Sequence, residues 1–233
     1  MFFNFYPFIL KKKKTISNAD QKSALSFKAI RNEYADMGVE DYYRNHADVY
    51  ENPHFPYIQQ LLEQNQHRID YTKTLDLACG GGEVTLILRG LGFENSIGCD
   101  PFTSRLFEKN TGKKCLEWRF EDIIKGSLVS KSLVNESLTN ERMTNDQMTN
   151  DPFTAIISSF AMHLCPQKQL FSLVAQLFLL TPNIIIITPH KRPELEKLPN
   201  VQLQFEDFVL TERGKKVFLK SYFLMMNDKL LIK

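Results

Sequence analysis

Apolar positions along the chain fall into short unbroken runs separated by stretches with helical spacing. Thr74 to Ala78, Ser96 to Asp100, Lys114 to Trp118, Ala155 to Ser159 and Asn183 to Thr188 read as strands, with helix-like segments between them. Alternation of this kind predicts a parallel sheet covered by helices. The run Ile184 to Ile187 is apolar without alternating, as a strand buried on both faces should be, so it belongs in the sheet centre. Near the C-terminus, Val201 to Leu210 and Val217 to Leu224 flank a polar turn at 211–216 that contains Gly214, the pattern of an antiparallel hairpin.

Two segments stand outside this alternation. Between Gly126 and Pro152 the chain repeats with a period of five, from Ser127-Leu-Val-Ser-Lys131 to Gln147-Met-Thr-Asn-Asp151. That period matches neither the helix nor the strand, so no continuous apolar face results, and the tract at 127–151 is expected to be a surface loop insertion that tolerates deletion. The N-terminal residues Met1 to Leu10 are aromatic and apolar and are followed by Lys11 to Lys14. Charge after the apolar stretch is the reverse of a secretory signal, and the stretch is shorter than the roughly 20 residues of a membrane span, so no stable membrane anchoring is expected. Residues 19–36 look helical, and Met37 offers a second start. The domain is accordingly expected at 37–233, with 1–36 as a dispensable extension.

Composition narrows the partners. A formal net charge of +2 from balanced acids and bases argues against a protein held to nucleic acid by phosphate neutralisation, and favours a neutral or small partner. Cys79, Cys99, Cys115 and Cys165 show no CxxC spacing, so neither a metal site nor a disulfide framework is signalled, and a reducing, cytoplasmic setting is expected.

The strongest local chemistry is Thr74-Leu-Asp-Leu-Ala-Cys-Gly-Gly-Gly-Glu-Val-Thr85, an apolar strand that runs through three glycines into a helix. Such a turn lets a nucleoside approach the backbone. A dinucleotide fingerprint would need a further glycine where Thr85 stands, which weakens a pyrophosphate reading. About 20 residues beyond the glycines, Ser96-Ile-Gly-Cys-Asp100 ends a strand in a carboxylate suited to both ribose hydroxyls, although an Asp before Pro also caps helices.

The segment Asp76-Leu-Ala-Cys-Gly-Gly-Gly82 resembles the first motif of class I S-adenosylmethionine (SAM) dependent methyltransferases. The resemblance extends in family order through Asp100, through Glu121 and Asp122 in Arg119-Phe-Glu-Asp-Ile-Ile-Lys-Gly126, and through Phe153-Thr-Ala-Ile-Ile-Ser-Ser-Phe-Ala-Met-His-Leu164. It implies an α/β fold: a Rossmann-like, mostly parallel seven-stranded sheet of order 3-2-1-4-5-7-6 with helices on both faces. SAM, leaving as S-adenosylhomocysteine, would lie across the C-terminal strand ends.

By that likeness Asp76, Ala78, Gly80, Gly81 and Gly82 form the cofactor loop, Asp76 orients the methionine amino group, Asp100 holds the ribose, and Asp122 or Glu121 accepts from the adenine amino group beside Phe120 or Ile123. Ser158 to His163 would line the mouth of the site. His163 is the candidate base, with a packing role as the alternative, and Tyr43 belongs to an aromatic lid that extends to His54. One departure is Thr154, where the fourth strand usually opens with an acid. A nucleic-acid amino methyltransferase usually carries an Asn- or Asp-Pro-Pro-aromatic motif where this chain has Ser158-Ser-Phe-Ala161, so a small-molecule acceptor is expected. A SAM-binding sensor without turnover is the alternative, and neither acceptor identity nor oligomeric state is specified by the sequence.

Overall fold

The structure, a computed structural model, describes residues 52–127 and 152–225. The expected extension at 1–36, the lid residue Tyr43 and residues 128–151 of the repeat lie outside the described residues. Helix α1 (Phe55–Gln64) carries Pro56 in its first turn, where a missing N–H is harmless, and buries Ile58, Leu61 and Leu62 at helical spacing. There follow β1 (Thr74–Leu77), α2 (Glu83–Gly90), β2 (Ser96–Cys99), α3 (Ser104–Thr111), β3 (Cys115–Leu116) and α4 (Phe120–Ile124). After the repeat come β4 (Ala155–Ser159), α5 (Gln167–Phe178), β5 (Asn183–Thr188), β6 (Val201–Leu210) and β7 (Lys216–Leu224).

The strands form one seven-stranded sheet in the order β3-β2-β1-β4-β5-β7-β6, parallel except where β7 runs antiparallel to both β5 and β6. The order and the terminal hairpin are those expected from the sequence. The run expected at Lys114 to Trp118 shortens to Cys115–Leu116, because this strand sits at the sheet edge and pairs only with β2, through Gly98 and Cys99.

Strand alternation sends the central isoleucines to opposite faces. Ile156, Ile184 and Ile186 pack with Leu170, Leu173, Val174 and Leu177 of α5, while Ile157, Ile185 and Ile187 pack with Ile58 and Leu61 of α1 and Val84 and Leu88 of α2. Both faces are therefore dry, which is why β5 is apolar without a break. On β2, a Cβ at Gly98 would stand 2.4 Å from the buried Phe107 ring, so glycine there lets α3 settle against the sheet. The parallel register of Leu77 with Cys99 sets the C-terminal ends of β1 and β2 side by side. No described helix is long and apolar enough to cross a membrane.

Candidate functional site

The glycine loop is built from the end of β1. Asp76 is fully buried, and its Oδ2 accepts from the Thr85 N–H at 3.1 Å and from the Thr85 hydroxyl at 2.8 Å. Its Oδ1 is buried too, yet has no hydrogen-bond partner among the described residues. Such atoms are uncommon in folded proteins, and this one is free to accept a hydrogen bond from a bound donor. Three residues of left-handed φ, Ala78 (55°), Gly80 (55°) and Gly82 (89°), turn the chain back. The N–H groups of Ala78 and Cys79 both donate to the Cys99 carbonyl, at 2.7 and 3.2 Å, and so clamp the turn to β2.

The glycines of this loop answer different constraints. A Cβ at Gly82 would stand 2.6 Å from Thr111 Cγ2, so glycine at 82 is required by the packing of α3 as well as by its φ. The Gly81 carbonyl accepts from Asn110 Nδ2 at 2.9 Å. Thr85, which the sequence offered only as an argument against a dinucleotide, is the residue that orients Asp76. Its place in the first turn of α2, directly after the glycines, is the signal that finds it.

Asp100 stands just past β2 and is buried. Its Oδ1 accepts from the N–H groups of Phe102 (2.8 Å) and Thr103 (3.0 Å), and its Oδ2 accepts from the Gly80 N–H at 3.3 Å. The capping reading of this aspartate is therefore seen directly: one oxygen shapes the turn into α3, while the other faces the glycine loop. Glu83, the first residue of α2, is the third acid here. Burial pushes the Asp76 carboxyl well above the usual carboxylate range, opposed by the Thr85 hydrogen bonds and reinforced by Glu83 and Asp100. Burial likewise raises Glu83, against the N–H groups of Glu83, Gly81 and Gly82, and Asp100 adds to the rise. The loop thus concentrates acidic groups that a cation would stabilise in their charged forms.

The remaining candidates divide. Glu121 is exposed, and Asp122 lies in the first turn of α4 with Oδ2 accepting from the Arg119 N–H at 3.0 Å, a helix-capping role that its position three residues after Arg119 advertises. Ile123 is fully buried in the core, whereas Phe120 is half-buried. Ser158 was expected at the mouth but is buried within β4 opposite Ile186, because the strand extends to Ser159. Phe160, Ala161 and His163 follow as half-buried residues. His163 lies 4.5 Å, centroid to centroid, from His190, and burial, with His190 adding, brings its imidazole down to about 4.

Thr154 stands at the opposite, N-terminal end of β4, where its hydroxyl bonds the Asp70 and Lys73 carbonyls at 2.9 and 3.1 Å. The missing acid is therefore at the end of β4 remote from the glycine loop. Cysteines that look scattered in sequence also meet: Cys79 and Cys115 Sγ are 3.6 Å apart, because the β1-β2-β3 order gathers those strand ends. All four thiols are free. Among the described residues no group of three or more His, Cys, Asp or Glu side chains is arranged to hold a metal ion.

A SAM-dependent methyltransferase from Anabaena variabilis superposes on the chain with a TM-score of 0.54 at 12% identity, covering 85% of this chain and 96% of its own. The chain carries the class I methyltransferase fold. A second match is a structure concerned with converting a disulfide bond into a thioacetal group during echinomycin biosynthesis, with a TM-score of 0.50 at 16% identity over 82% of this chain and 93% of that one. In sequence, an uncharacterised protein of Schizosaccharomyces pombe is 27% identical over 207 residues, 72% of this chain and 77% of its own length. No protein-family model matches the chain. Within the methyltransferase fold, the glycine loop, Asp100 and the turn after β4 share the C-terminal edge of the sheet, where open α/β sheets bind their ligands.

Proposed function

We propose that this chain binds SAM at the glycine loop and transfers its methyl group to a small-molecule acceptor. The observation that carries this reading is the acid cluster of Asp76, Glu83 and Asp100 around the loop, with Asp76 Oδ1 buried and unpartnered. SAM brings a sulfonium and an ammonium, both of which such a cluster attracts. A dinucleotide pyrophosphate would be repelled by the same acids, and Thr85, where its third glycine would stand, has its hydroxyl committed to Asp76.

In this reading Asp76 Oδ1 accepts from the methionine ammonium, Asp100 Oδ2 accepts from the ribose, and Ala78 to Gly82 provide the close backbone floor. Asp122 keeps its Oδ1 for the adenine amino group while Oδ2 caps α4. When bound, SAM supplies an activated methyl group, and positioning alone then contributes much of the acceleration. His163, neutral at neutral pH, receives a proton from the acceptor. The sequence Ser158-Ser-Phe-Ala161, which spans the end of β4, supports a small acceptor over a nucleobase amine.

Calorimetry of the full chain with SAM, S-adenosylhomocysteine and NAD tests the reading. Binding of both sulfur compounds without NAD is expected. Binding of NAD alone, or of none of the three, would overturn it.

A further inference from the structure

Away from the acid cluster, three imidazoles from three separate segments converge where β4 and β5 end. His54 immediately precedes α1, His163 lies in the short turn Met162–Leu164, and His190 follows β5. The His54 ring stacks on Phe160 with centroids 4.4 Å apart and planes 7° apart. His190 sits 4.5 Å from His163 and acts electrostatically on both His163 and His54, so the three rings form one group.

Two further features mark the group as a binding site. Phe160 is held at φ 56°, a left-handed conformation unusual for a bulky residue, with its N–H donating to the Ile187 carbonyl at 2.8 Å. Strain of this kind persists where surrounding structure enforces it, and it clusters at ligand sites. The Nδ1 atoms of His54 and His163 are buried without a hydrogen-bond partner among the described residues, leaving capacity that a ligand would complete.

Resting on the methyl-transfer reading above, we propose that His54, Phe160, His163 and His190 form the acceptor site, and that the acceptor is a phenol: a planar ring bearing an acidic hydroxyl. The stacked pair offers a flat aromatic surface of the kind a second ring packs against. Burial, with His190 adding, lowers both His54 and His163, so these rings are neutral at neutral pH and each presents one accepting nitrogen. A hydroxyl donates to such a nitrogen, whereas a carboxylate would meet no resident charge on the rings. An imidazole of reduced basicity takes a proton from an acidic hydroxyl more readily than from an aliphatic one.

The step balances simply. The phenolic oxygen forms a bond to the methyl carbon as the carbon–sulfur bond breaks, the bonding pair stays on sulfur to give neutral S-adenosylhomocysteine, and the hydroxyl proton passes to the His163 imidazole.

Histidine ring signals of the full chain, assigned with His→Gln variants and followed by NMR in the presence of S-adenosylhomocysteine, test the site directly. 4-Nitrophenol and catechol should each shift the His54, His163 and His190 signals, while benzoate and aniline should not. With methyl-labelled SAM both phenols should be methylated, and His163→Gln should lower that turnover about 100-fold while leaving SAM affinity unchanged. If SAM binds but neither phenol moves these signals, or if benzoate or aniline moves them more, the acceptor assignment falls and the cofactor reading stands. If SAM itself does not bind, both fall.

Discussion

Replacing Asp100 by asparagine separates the two jobs of its carboxylate. Asparagine keeps an Oδ1 that can still accept from the Phe102 and Thr103 N–H groups at 2.8 and 3.0 Å, so the turn into α3 should survive. Its amide nitrogen replaces the Oδ2 that accepts from the Gly80 N–H at 3.3 Å, setting donor against donor and removing the charged acceptor from the ribose. Hydrogen bonds to a charged group contribute about 1.5–3 kcal/mol, so losing this one should weaken SAM by about 2 kcal/mol, or roughly 30-fold. Alanine would in addition delete the bonds to the turn. At about 1 kcal/mol per accepted backbone bond it should destabilise the fold by about 3 kcal/mol, roughly 10 °C in a domain of this size. Calorimetry for SAM and thermal melts of both variants make the comparison. An asparagine variant that binds SAM as tightly as the parent would refute the ribose assignment, and one that melts as early as the alanine variant would refute the division of labour between the two oxygens.

The same structure makes further measurable demands. Gly98→Ala would drive a Cβ into Phe107, with ring atoms at 2.4, 2.6 and 2.7 Å, and should cost about 2–3 kcal/mol in a melt; Phe107→Leu in the same chain should recover part of that loss. Asp76→Asn should raise the melting temperature at neutral pH while lowering SAM affinity. Burial lifts the Asp76 carboxyl, so the parent loses stability as pH climbs from the ordinary carboxylate range through the raised value, a slope that asparagine removes. His163 has the opposite sign: its imidazole is depressed to about 4, so the parent should lose stability as pH falls from about 6.5 towards that value, and His163→Gln should flatten this part of the curve. Alkylation with mass spectrometry should label half-buried Cys115 well before Cys79 and Cys99, whose thiols burial pushes up; equal rates would contradict the packing at those strand ends.

How much was legible in the amino-acid order follows from the range of each interaction. Strand runs, the terminal hairpin and the Asp76 to Gly82 turn depend on contacts within a few residues, so spacing alone revealed them, and Ile184 to Ile187 announced burial on both faces. The capping role of Asp122 was equally local, an acid three residues after Arg119. Whether Ser158 belongs to the end of β4 or to the loop beyond it turns on a single pleat, which only the register with Ile186 decides.

What the sequence by itself determined is therefore the kind of sheet, its glycine loop and the acids that flank it. Tertiary structure alone decided that Cys79 meets Cys115, that Gly98 makes room for Phe107, and that His54, His163 and His190 come together. Each of these joins residues whose separation along the chain carries no periodic signal. They become neighbours because parallel strands, each followed by a return connection, deliver all their C-terminal ends to one edge of the sheet.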